Sequence, residues 1–138
     1  MANEQYAFLT KDNLPTRTTW QAAIDNSPFD LQLDPKMNVG IDSGFSPCTI
    51  CGAELGIEID YDDSAEFIAQ FSEIAPGKDC CVSFRWGGNE IECAIALILS
   101  YSLAKEFAAV VSYEGEPPSS VESLLADAHS ILEELGMA

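Results

Sequence analysis

Several groups of residues have types and spacings that could support chemistry. The first is Cys48-Thr-Ile-Cys51, a spacing shared by redox dithiols and zinc-binding turns. A redox pair needs a helix N-terminus beside it to lower the pKa of the attacking thiol. Here Gly52 follows, and the pair reads as the end of a strand and a β-turn. A zinc site would have to recruit Cys80 and Cys81, but neighbours on a strand point to opposite faces. Buried or turn thiols are the simpler reading, and no metal is expected.

The single histidine, His129, falls off the apolar stripe of its helix and one turn before Glu133, which suits a solvated pair. Without a second histidine it builds neither a metal triad nor a Ser-His-Asp arrangement. Gly87-Gly88-Asn89 joins a strand to a helix, where an anion could sit. The glycine spacing and lysine of a phosphate loop are missing, and Glu90 and Glu92 compete for the same positive helix end. A tight connection is expected. Carboxylate pairs abound, yet none is marked out as an acid/base pair, so a solvated acidic face accounts for them. No catalytic residue, cofactor or enzymatic activity is expected.

The elements that would position these residues can be read from periodicity. At 138 residues, with 47% hydrophobic and 21% charged residues, the chain suits a single globular domain over 1–138. After an irregular start, residues 15–24 read as a short helix. Phe29 to Asp34 alternates, with Phe29, Leu31 and Leu33 facing a core. Strands over 44–50 and 55–61 form a hairpin around Cys51-Gly52, and Pro47 places the first arm at an edge. On the second arm Leu55, Ile57, Ile59 and Tyr61 face one way and Glu54, Glu58 and Asp60 the other. Asp63-x-x-Glu66 reads as a capping box for a helix through Ile74.

A strand follows over 80–86, then a helix capped by Asn89 and running to about Phe107, apolar around most of its circumference and so central. A strand over 108–113 and a last helix capped by Ser119 complete the order α-β-β-β-α-β-α-β-α. That order predicts an α+β fold: a mixed or antiparallel sheet of about five strands, with helices packed mainly on one face.

The charge is the unusual property. Twenty-three acids against six bases give −17. Such a field repels phosphate backbones and anionic membranes, so neither nucleic acid nor membrane is an expected partner. It attracts basic proteins and speeds their encounter. Between Met37 and Gly77 there is no Lys or Arg, while Glu54, Glu58, Asp60, Asp62, Asp63, Glu66 and Glu73 crowd the second half of that span. The start lacks the basic and apolar pattern of a secretion signal, and the odd number of cysteines, five, fits reduced thiols, so the cytoplasm is expected.

Gly44-Phe-Ser-Pro47 followed by Gly52-Ala-Glu-Leu-Gly56-Ile-Glu58 resembles a hairpin motif of immunity proteins from bacterial polymorphic toxin systems, whose toxins are delivered by contact-dependent, Rhs-type or type VI machinery. The likeness spans residues 14–83. It implies a cytoplasmic bacterial protein, a monomer or weak dimer, that binds a cognate toxin domain and covers its active site. A basic toxin would meet Glu54, Glu58, Asp60, Asp62, Asp63 and Glu66, with Tyr61 as an aromatic anchor. Glu114 and Glu116, in the loop before the last helix, offer a second surface. The alternative is a dimeric acidic chaperone for a secreted effector.

Overall fold

The protein is described by a computed structural model covering residues 2–137. It is an α+β fold built on one six-stranded, wholly antiparallel sheet. In chain order the elements are β1 (Asn3–Leu9), a 3-10 turn (Lys11–Asn13), α1 (Arg17–Asp25), β2 (Leu31–Leu33), β3 (Gly44–Ile50) and β4 (Ala53–Asp62). There follow α2 (Ala65–Ala69), β5 (Cys80–Trp86), α3 (Glu90–Phe107), β6 (Val110–Tyr113) and α4 (Val121–Glu134). The strands lie in the order β2-β3-β4-β5-β1-β6.

The strand that periodicity misses is β1, which sits between β5 and β6. Its sequence hides it because a polar residue, Gln5, takes a core position. The buried Gln5 amide donates to the Ser100 hydroxyl at 2.7 Å, and Ser100 in turn donates to the Ala96 carbonyl at 2.7 Å. A buried amide is tolerated when its hydrogen bonds are made. Phe8 and Leu9 are buried on opposite faces of this strand, so no clean alternation survives.

The main core lies between the inner face of the sheet and α3. Ten consecutive residues of α3, Ala94 to Leu103, are buried, as its all-round apolar character requires. Trp20 from α1 inserts beneath it, fully buried, with its indole N–H donating to Ser102 Oγ at 2.8 Å. α4 packs along α3 through Leu124, Ala128 and Leu132.

The outer face carries a second, smaller core. Phe8, Cys81 and Ala75 are buried there beneath Tyr6, Phe67, Ile68 and Phe71. The rings of Tyr6, Phe8 and Phe71 lie 5.1–5.9 Å apart, within the range of favourable aromatic packing. The expected long helix over this region is short. Ser64, not Asp63, caps it by accepting from Phe67 N, and Asp62 accepts from Ser64 N at 2.8 Å. The chain leaves helical geometry after Ala69 and continues through turns to Gly77. In α4 the cap is likewise shifted by one residue, to Ser120.

Both sheet edges are capped in part. Along β2, the Gln21 side chain of α1 accepts from Leu33 N at 2.7 Å and donates to the Leu31 carbonyl at 2.9 Å. Arg17 covers the Leu33 and Asp34 carbonyls. Along β6, Ser119 N donates to the Val111 carbonyl at 2.8 Å. Pro47 is not on an edge strand, since β3 lies between β2 and β4. However, β2 pairs only with Cys48 to Ile50. Cys51 N points to the β2 side, donating to Asp30 O, so by alternation the N–H that Pro47 lacks would face the gap beyond the end of β2.

Candidate functional site

The outer face of the sheet is half covered by α2 and half open, and β4 runs from one half to the other. Its outward residues are Glu54, Gly56, Glu58, Asp60 and Asp62. Glu54 and Glu58 are exposed, while Asp60 and Asp62 are half-buried towards α2. The strand pleat thus gathers Glu54, Glu58 and Asp60, the three acids expected on one face, and adds Asp62, because the strand runs on to that residue.

Register extends this set across the sheet. Phe45 pairs with Glu58, Glu58 with Arg85, and Arg85 with Glu4. Glu4 accepts through its carbonyl from Glu114 N at 3.1 Å, and Glu4 N lies 3.4 Å from Glu114 Oε2. Glu114 is therefore not a separate surface but the far end of the same row. Glu4 was missed with its strand, and Arg85 is the one base among these carboxylates. Its Nε lies 4.0 Å from Glu58 Oε2, with both side chains about half exposed. An ion pair so placed contributes at most about 1 kcal/mol.

The other expected contact residues separate. Asp63 is drawn aside into an ion pair with Lys11 at 3.4 Å. Glu66 stands exposed on α2, at the covered end of the face. Glu116 is exposed in the turn after β6, where its carbonyl accepts from Ser112 Oγ. Tyr61 belongs to the opposite face, with Ile57 and Ile59, and its ring lies against the inner side of the loop carrying Gly40. Burial is the main cause that raises its hydroxyl pKa well above the ordinary tyrosine value.

The exposed aromatic of the acidic face is Phe45, with 68% of its surface accessible. Its alternation with Cys48 and Ile50, both buried, is the sequence signal that places it outward. Ring placement depends on Gly56: a Cβ there would lie 2.6 Å from Phe45 Cζ. The ring thus covers the bare backbone of the neighbouring strand, a known way of rescuing glycine in sheets. Gly44 starts β3 with φ +98 and donates its N–H to Asp60 Oδ1 at 2.9 Å, and Ser43 Oγ donates to the same oxygen. Asp60 is therefore engaged in fixing the hairpin as well as in the face.

The cysteines take structural places. Cys51 (φ +49) and Gly52 (φ +83) are the central residues of the β3–β4 turn, both in the left-handed conformation that matches strand twist. Cys48 is buried on the inner face, and burial pushes its thiol up to about 11, opposite to the shift a redox nucleophile requires. Cys80 lies in the main core and Cys81 in the outer one. Among the described residues, no three side chains of His, Cys, Asp or Glu converge as metal ligands. Thiol titration of the native protein at pH 8 should register Cys51 and Cys93, the two partly exposed cysteines, with Cys48, Cys80 and Cys81 reacting only after unfolding. Rapid native reaction of Cys48 would contradict this placement.

His129 is not simply solvated: its ring lies 4.9 Å from that of Phe29. Asn89 caps α3 by accepting from Ile91 N, so the Gly87-Gly88-Asn89 segment is a tight strand-to-helix connection. No helix among the described residues is long and apolar enough to cross a membrane. Compared with protein-family models, curated proteins and solved structures, the chain matches none.

Proposed function

We propose that this chain is an immunity protein that binds a basic toxin domain in the bacterial cytoplasm through the open outer face of its sheet. The observation that supports this most is the row Phe45–Glu58–Arg85–Glu4–Glu114, flanked by Glu54, Asp60 and Asp62. Carboxylates dominate it, and a rigid sheet presents them with no backbone ordering cost. Side chains of α1 along β2 and Ser119 along β6 cap part of each edge, so contact is assigned to the side chains of the open face rather than to an added strand.

Long-range attraction acts chiefly on the association rate. The double substitution Glu54→Lys with Glu58→Lys leaves the hairpin hydrogen bonds intact and reverses charge at the most exposed part of the face. Measured against the basic toxin domain that this reading requires as partner, it is expected to lower kon by about tenfold or more at low salt. It should also flatten the dependence of kon on ionic strength, because the steering field is what salt screens. An unchanged rate and salt slope would remove this face from the account. A dimer that binds only an unfolded segment would instead favour an effector chaperone.

A further inference from the structure

Beside Phe45 the sheet forms a recess of about 220 Å³, lined by Phe45, Gly56, Glu58, Arg85, Trp86 and Glu92 among others. It lies at the end of the sheet, where Phe45 and Glu58 of the outer face meet Trp86 and Glu92, the latter in the first turn of α3, so its lining joins an aromatic ring to two carboxylates. Resting on the partner-binding reading above, we infer that this recess is the docking point for one arginine side chain of a folded basic partner. The guanidinium stacks on the Phe45 ring and reaches Glu58 and Glu92.

The chemistry selects arginine over lysine. A planar guanidinium can lie flat on an aromatic ring and still direct N–H donors sideways to carboxylates, whereas an ammonium concentrates its charge at a point and holds its water tightly. Phe45 is suited to this because its ring is already seated over Gly56 and needs no rearrangement to receive the partner. Glu58 is suited because its contact with Arg85, at 4.0 Å, is at the limit of an ion pair, so a closer cation can displace it. The arrangement divides the acids by role. Glu54, Asp60 and Glu114 set the field, and Phe45 with Glu58 and Glu92 hold one residue.

The test uses the full isotopically labelled chain and two capped peptides, acetyl-Ala-Arg-Ala-amide and acetyl-Ala-Lys-Ala-amide, followed by NMR amide shifts at low salt. The arginine peptide should produce saturable shifts centred on Phe45, Gly56, Glu58 and Glu92. Its affinity should be weak, on the order of millimolar, yet about fivefold tighter than that of the lysine peptide. Phe45→Leu keeps apolar cover over Gly56 and should abolish the difference between the peptides, as should Glu58→Gln. Equal shifts from both peptides spread over all the acids, shifts elsewhere, no shifts, or arginine selectivity that survives Phe45→Leu would each overturn the docking point. The acidic-face reading fails on a different result, an unaltered association rate of the Glu54→Lys, Glu58→Lys variant. The two failures are therefore separable.

Discussion

Gly56→Ala is expected to lower the unfolding free energy by about 3 kcal/mol, the upper part of the range for overpacking a close-packed site. A Cβ at this position would lie 2.5 Å from Ser46 O, 2.6 Å from Phe45 Cζ and 2.9 Å from Pro47 Cα. Two of these obstacles are backbone atoms of the paired strand, so side-chain rotation alone cannot make room. Strands β3 and β4 would have to separate, weakening the ladder that carries the acidic row. Gly44→Ala gives the contrast. A Cβ there meets nothing within 4 Å, and its cost comes only from φ +98, about 1–2 kcal/mol. The measurement is chemical denaturation of both variants together with the double variant Phe45→Ala, Gly56→Ala. Since the obstruction is largely backbone, removing the ring should recover only a minor part of the loss. Full recovery would show that the ring alone excludes a side chain.

Where local pattern and final environment agree, sequence and structure agree. The β3–β4 hairpin was legible because its alternation, its Cys51-Gly52 turn and its buried inner positions all indicate one register. α3 was legible because no face of it could tolerate water. The failures come from long-range compensation. Gln5 reads as a surface residue until Ser100, far along the chain, supplies its partner. Without β1, the pairing of β5 with β6 through it was invisible, and so was the single row joining Glu58 to Glu114. The helix caps of α2 and α4 fell one residue away because adjacent Asp63-Ser64 and Ser119-Ser120 offer equivalent side chains, and only backbone geometry chooses. Tyr61 illustrates a different limit. Its strand parity already set it apart from the acids, and proximity in sequence is not proximity on a sheet. Phe45 was passed over for Tyr61, although parity with Cys48 and Ile50 places it outward; only the absence of a Gly56 side chain across the strand explains why that position tolerates an exposed ring.

Gln21→Leu is expected to cost about 2–4 kcal/mol and to change the association state of the protein. The buried Gln21 amide acts as a false strand, satisfying one outward N–H and one outward carbonyl of β2 with bonds of 2.7 and 2.9 Å. Leucine nearly matches its volume but offers neither bond, so two backbone groups at a dry edge lose their partners, at roughly 1–3 kcal/mol each. Either the edge frays to let water in or it finds another chain, because an unpaired strand is a template for pairing. Sedimentation at increasing concentration should therefore detect dimers of the variant under conditions where the wild type shows no concentration dependence. Gln21→Glu separates the two edge bonds, while also losing the amide's 2.9 Å donation to Asp25 Oδ1. A carboxylate can accept from Leu33 N but cannot donate to the Leu31 carbonyl, while the neutral acid can do both. Burial opposes ionisation, so the folded-state pKa of the introduced acid lies above its unfolded value. Its stability deficit relative to the wild type should shrink as pH falls and grow as pH rises through that folded pKa. If Gln21→Leu stays monomeric and as stable as the wild type, β2 is not protected by this amide. A partner could then add a strand at that edge, and side chains of the acidic face would no longer be the favoured means of contact.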